Sequence, residues 1–225
     1  PRYFPGEEML IKIKYLGITA GYVKVQTLPS KQVNKKSVFH FSAKLSSAKY
    51  YSYIYNLDDA IDSFVRTDEF IPVKYLLTQR ESAQEVDDLQ IFDYAKHKTF
   101  SWYRRLKKGI EKKDEKNSYM PYFVHDSFSV LQFFRGLNLN KGDFYVIPVS
   151  TRGKIWTLEA KVLGKDELEI MGKPTPAIKI SAVTKFPGVL TASDDILFWF
   201  SDDPHRMILK FEAKVKIGAL EGEIE

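Results

Sequence analysis

The run His125-Asp126-Ser127-Phe128-Ser129 holds the side chains of a hydrolase: an imidazole base, a carboxylate and two hydroxyls. Acyl transfer requires the base within hydrogen-bond reach of the hydroxyl, and a third group that orients the base. Neighbours on one helical turn do not face each other, and the chain has no Gly-x-Ser-x-Gly elbow. The run reads better as a helix start, with Asp126 or Ser127 accepting from a free backbone N–H. A second concentration of chemical types is Asp202-Asp203-Pro204-His205, whose two carboxylates and imidazole suit a cation. An Asp- and Pro-rich turn requires the same letters, and the four histidines are scattered. Asp202, Asp203 and His205 are therefore metal candidates by residue type alone, and no cofactor is expected. Gly153-Lys154 and Gly164-Lys165 lack the rest of a phosphate-binding loop and read as hairpin turns. Arg135 ends the helical run, where a cation offsets the dipole; a buried pair with Asp126 or Asp203 is the other reading.

These residues must be positioned by a chain that alternates, for most of its length, like β-sheet. Val130, Leu131, Phe133, Phe134 and Leu137 recur at helical spacing and predict one short helix over 126–137. Elsewhere the period is two. Met9, Ile11, Ile13 and Tyr15 alternate with lysines; Phe39 to Leu45, Trp156 to Val162 and Met207 to Ile217 do the same. Tyr51, Tyr53 and Tyr55 read as one face of a further strand. Connections fall at 28–36, 80–88, 106–120 and Gly164-Lys165-Asp166. The sum is about a dozen strands at meander spacing. That predicts an all-β fold: a large curled antiparallel sheet or open barrel with one short helix. No Pro/Gly/Ser-rich linker divides the chain, so 1–225 reads as one β domain. The alternative is two half-sheets, 1–105 and 126–225, joined by a basic loop at 106–120.

Composition narrows the chemistry. Without cysteine there is no disulfide scaffold, thiol nucleophile or thiolate-bound metal. No apolar run reaches the length of a transmembrane helix. The formal charge of +5 is concentrated: residues 104–116 carry seven basic and three acidic side chains, a net +4. Arg104, Arg105, Lys107 and Lys108 suggest an anionic membrane surface as a partner. A solvated loop is the plainer reading of such a run. No nucleic-acid signature accompanies it, so nucleic acid is not an expected partner. Aromatics reach 14%, with 13 Tyr and 16 Phe. On a curled sheet they either pack a core or line an apolar cavity for a lipid or acyl chain. The cavity reading assigns ligand contact to Phe41, Tyr53, Trp102, Phe134, Trp156 and Trp199, with Phe198 beside them.

Several blocks occur in a familiar order. A Gly6-Glu7 start leads to a hairpin at Leu16-Gly-Ile-Thr-Ala-Gly21. The helix Asp126-Ser-Phe-Ser-Val-Leu-Gln-Phe-Phe-Arg135 precedes Leu139-Asn-Lys-Gly-Asp143. The end carries Phe198-Trp-Phe-Ser-Asp-Asp-Pro-His-Arg206 and Lys216-Ile-Gly218. Over nearly its whole length the chain resembles the bacterial domain-of-unknown-function family 3108. The resemblance implies an exported β protein of the Gram-negative envelope or periplasm, and it implies no activity. Pro1 in place of a starting Met fits a trimmed chain, either by removal of a signal peptide or by a chosen start point. The expectation is a non-enzymatic envelope protein that binds a hydrophobic ligand or a protein partner. The alternatives are a carboxylate-based hydrolase of an envelope polysaccharide, using Asp202 and Asp203, and an interaction module presenting a sheet edge.

Overall fold

Alternation over so many segments commits the backbone to ladders, and a computed structural model shows how they join. It describes residues 3–184, 196–214 and 218–225; the end of the Met207–Ile217 alternation, at Val215 and Ile217, lies outside them. The first half of the chain forms β1 (Glu8–Tyr15), β2 (Ile18–Val33), β3 (Lys36–Ser47), β4 (Leu57–Arg66), β5 (Pro72–Glu81), β6 (Glu85–Asp93), β7 (Lys98–Lys107) and β8 (Ile110–Tyr119). A two-residue β9 (His125–Asp126) leads into α1 (Ser129–Gly136). The second half forms β10 (Phe144–Thr151), β11 (Lys154–Ile170), β12 (Lys173–Thr184), β13 (Ile196–Ser201), β14 (Ile208–Lys214) and β15 (Ala219–Ile224).

All the strands join one 15-stranded sheet, in the order β8-β7-β6-β5-β4-β3-β2-β1-β15-β14-β13-β12-β11-β10-β9. Neighbours in sequence are neighbours in space, as short connections require. The chain's two ends meet in the middle of the sheet, where Ile11 to Tyr15 pairs with Leu220 to Ile224. Register shifts occur in β1–β2, β2–β3, β4–β5, β11–β12 and β13–β14. Bulges of this kind bend a strand and add twist, so the sheet curls. One hydrophobic core runs around its concave face from Met9, Val25, Phe41, Val65 and Tyr75 to Val149, Leu158, Ile180 and Phe200.

Five local expectations are corrected. The connection at 28–36 shrinks to a turn at Asn34-Lys35, because β2 runs on to Val33, which pairs with Lys36. Residues 51–53 form a 3-10 turn, not a strand. The connection at 80–88 shrinks to a tight turn, because Glu85 already pairs with Arg80 and Leu106. Gly164 is not a turn: β11 runs straight through it with a bulge, and the hairpin closes at Met171-Gly172. The segment 106–120 is not a loop joining half-sheets; it is the edge hairpin β7–β8. The charge run conceals an exposed edge strand whose ions pair: Arg104 with Glu111, Lys113 with Glu111, and Lys116 with Asp114. Lysines along an edge strand also discourage edge-to-edge association.

Candidate functional site

The helix is more deeply enclosed than an amphipathic stripe predicts. Ser129, Gln132 and Arg135, one turn apart on one face, are wholly buried, whereas Leu131 and Phe133 are half-buried. This polar face is possible because partners meet it. The Arg135 guanidinium donates to both Glu7 oxygens, at 2.5 and 3.0 Å, to Gln132 Oε1, and to the carbonyls of His205 and Arg206. Thr27 donates to the same Glu7 carboxylate. The partner of Arg135 is thus Glu7, not Asp126 or Asp203. Nothing local in the sequence signals the pairing, since the two residues are 128 positions apart.

The hydrolase-like run is structural. Asp126 Oδ1 accepts from the backbone N–H of Phe128 and Ser129, and Oδ2 accepts from Ser63 at 2.6 Å. The N-cap position is Phe128, which has no side-chain cap, so neither Asp126 nor Ser127 takes the N-cap role expected of it: Asp126 braces the approach to the helix and Ser127 donates to the Tyr75 hydroxyl. His125 Nδ1 lies 3.1 Å from Ser129 Oγ, but Asp126 spends its oxygens elsewhere and does not orient the imidazole. All three side chains are fully buried. Burial alone holds the His125 imidazole neutral, with its pKa pushed down to about 3, and desolvation raises the Asp126 carboxyl.

Asp202, Asp203 and His205 do not converge on a cation. Asp203 Oδ1 accepts from Ser201 Oγ and from the N–H groups of His205 and Arg206, which makes it the hub of a turn. Asp202 pairs with Lys165 and Arg206, and the His205 ring packs edge-on against Phe4. Among the described residues no group of three or more metal-ligating side chains gathers.

The aromatic candidates do not share one cavity either. Phe41 and Phe134 are core residues, packed against Tyr3 and Tyr145 respectively. Tyr53 is 86% exposed on the 3-10 turn. Trp102 pairs across from Leu89, on the face opposite buried Ser101 and Gln90, and so points outward. Trp199 is buried, but in a separate convex-side cluster with Ala177 and Leu209; its indole donates to Asp166, and Lys179 and Lys210 lie over its ring. Phe198 packs with Phe211 on the concave face. These positions correct the lining role for Tyr53, Trp102 and Trp199.

Trp156 lines an open cleft among the described residues. It lies where the curled sheet brings its two edges together without a ladder. Side chains bridge that seam: Ser150 donates to Gln90 at 2.8 Å, and Arg152 approaches Asp88 to 4.0 Å. The cleft holds about 250 Å³ and is lined by Ser101, Tyr103, Asp114, Lys116, Thr151, Arg152, Lys154 and Trp156. Arg152 lies 4.2 Å from the centroid of Tyr103. Beneath it Asp88 is 3% exposed, and one of its oxygens has no hydrogen-bonding partner among the described residues. Desolvation pushes its pKa up to about 6, against the pull of Arg152. Sequence reasoning missed Asp88 and Arg152; the only signal was an acidic residue on the inward phase of β6.

Together these features define a barrel-like all-β protein: an open curled sheet with a buried helix and a side-chain seam. The chain belongs to the family described as Protein of unknown function (DUF3108), whose model matches residues 11–225. Among solved structures it is similar to a β-barrel-like protein of domain of unknown function DUF1849 from Brucella abortus. The TM-score is 0.59 at 9% identity, over 97% of this chain and 94% of that one, which establishes likeness of fold alone. No curated protein sequence matches the chain.

Proposed function

We propose that this is a non-enzymatic protein of the bacterial cell envelope that docks, by one end of its sheet, onto an anionic lipid surface. The observation that carries the reading is where exposed apolar side chains fall. Antiparallel neighbours put the β1–β2, β3–β4, β5–β6 and β7–β8 connections at the same end of the sheet. Those connections present Leu16, Ile18, Tyr50, Tyr53, Ile54 and Ile110, all more than half exposed. Exposed Lys49, Lys107 and Lys108 stand among them. Tyrosine with aliphatic residues suits the interfacial layer of a bilayer, and lysines suit anionic headgroups. Of the basic residues first singled out, Arg104 is neutralised by Glu85, Asp87 and Glu111, and Arg105 lies on the inner phase of β7 beside buried Val86. The basic contribution therefore comes from the turn lysines.

The experiment is co-sedimentation with vesicles of phosphatidylglycerol and phosphatidylethanolamine, against vesicles of phosphatidylcholine alone. The expected result is binding to the anionic vesicles only, weakened by Tyr53→Ser with Ile54→Ser, and by Lys107→Glu with Lys108→Glu. Equal binding by the wild type and both variants, or no binding, overturns the reading.

A second reading, a module presenting a sheet edge, draws on β10. The short β9 covers only Val149 and Ser150, so Phe144–Pro148 lies at the border of the sheet with Phe144 and Val146 exposed. Such an edge accepts an added strand. Val146→Lys would abolish capture of a partner by that route and leave vesicle binding unchanged.

A further inference from the structure

We propose that the seam cleft is a binding site for one residue of an acidic saccharide, a sugar ring bearing a carboxylate. The proposal is independent of the lipid-docking reading and rests on four features of the cleft.

The first is unmet hydrogen-bonding capacity. Asp88 Oδ1 and Thr151 Oγ1 are buried and have no partner among the described residues. Native buried polar atoms are nearly always satisfied, and exceptions call for a bound molecule or a functional cause. Asp88 sits opposite Tyr103 in the β6–β7 ladder, with its other oxygen 4.0 Å from Arg152, directly behind the residues that line the cleft; Thr151 lines the cleft itself. As an acceptor it requires a donor, which a sugar hydroxyl provides. Ser101 adds a further hydroxyl to the wall.

The second is charge. Asp114 and Lys116 pair with each other at 2.6 Å. Arg152 and Lys154 then outnumber the Asp88 carboxylate behind them and leave the cleft net positive. The third is geometry. Arg152 is held over Tyr103, and a stacked guanidinium keeps its N–H edge available for the two oxygens of one carboxylate. The fourth is an apolar wall: Trp156 lines the cleft beside Lys154, whose ammonium lies 5.9 Å from the ring centroid. An indole of this kind packs against the C–H face of a pyranose. The volume falls below the roughly 300–1,000 Å³ of pockets for drug-sized ligands, which fits a single ring.

Other ligand classes leave part of this set unused. A sulfate ion offers only acceptors and leaves Asp88 unmet. An acyl chain satisfies neither the cations nor the buried oxygens. A neutral sugar leaves Arg152 without its carboxylate.

The test is isothermal titration calorimetry of the intact protein with tetragalacturonate, cellotetraose and sodium sulfate. The expected result is saturable binding of tetragalacturonate, with cellotetraose weaker by about tenfold or more, the scale of a lost charge-assisted contact. Arg152→Ala and Trp156→Ala, with unchanged circular dichroism and melting temperature, each weaken tetragalacturonate by a similar factor. Arg152→Lys keeps the charge but loses the planar fork, so it recovers only part of the affinity. Three outcomes overturn the proposal: no saturable binding of tetragalacturonate at millimolar concentration, sulfate binding as tightly as tetragalacturonate, or tetragalacturonate binding unaffected by the two alanine variants.

Discussion

Two polar regions lie inside this sheet, and they are built in opposite ways. Around α1, the one full charge pair is met almost atom for atom: Arg135 reaches Glu7, Gln132 and two carbonyls, and Asp126 is filled by Ser63 and two backbone N–H groups. At the seam, a carboxylate equally deep in the protein has one cation at 4.0 Å and an oxygen with no partner among the described residues. The first region stores its charges for the fold. The second keeps binding capacity that the fold does not use. Even in the first, His125 Nε2 and Gln132 Nε2 lack partners among the described residues, so the contrast rests on the charged groups. Burial by itself therefore does not mark a functional group, and neither does an unpartnered atom; a buried carboxylate with an unpartnered oxygen behind an open, cation-lined cleft does.

The largest expected effects break the helix network. Arg135→Ala leaves the Glu7 carboxylate buried without its cation, and should cost about 3–5 kcal/mol in urea unfolding. Replacing both, as Glu7→Leu with Arg135→Met, should recover much of that loss, since apolar pairs of similar size often replace buried ion pairs without penalty. Phe134→Ala, at a site 3% exposed, should also cost about 3–5 kcal/mol. A markedly smaller loss would mean that the helix is not a packed plug.

Next come two pH effects of opposite sign. The unfolded chain takes up a proton at His125 near pH 6.5, while the folded protein refuses it down to about pH 3. Stability therefore falls as pH drops through that window, by about 3 kcal/mol between about pH 6.5 and 4. His125→Gln should flatten that limb of the stability curve. At Asp88 the folded pKa is raised to about 6 from 3.8. The folded protein keeps this proton between about pH 4 and 6 while the unfolded chain releases it, so stability falls as pH rises through the window. Asp88→Asn should therefore stabilise at pH 8 by up to about 3 kcal/mol and change little at pH 4. No gain at pH 8 would mean that Asp88 is better satisfied than the seam geometry implies.

The smallest effect is at the exposed end. Tyr53→Ser should change stability by no more than about 0.5 kcal/mol, which leaves any change in vesicle binding attributable to the surface.

Much of the architecture was legible in the residues. Period-two patterning marked most strands, and the stripe from Val130 to Leu137 marked the helix, although the helix starts at Ser129 after an N-cap at Phe128 rather than at Asp126. The misreadings share a cause. Lys107 to Lys116 looked like a solvated loop because a sheet-edge strand, exposed on both sides, carries no apolar alternation. Tyr51 and Tyr53 looked like a strand because aromatic spacing is the same whether a side chain is buried or lies open on a turn. Gly164 looked like a turn because a bulge and a turn use the same residue.

What the sequence determined by itself is local: which backbone conformations are favoured, and which side of each strand is apolar. Those preferences depend on neighbours a few residues apart, so a linear pattern records them. What only the tertiary structure decided is long-range: that Glu7 meets Arg135 across 128 positions, that β1 and β15 join the halves, and that the curl brings Asp88 beneath Arg152. These pairings depend on the summed twist of many strands. No single residue encodes that sum, and the seam cleft exists only because of it.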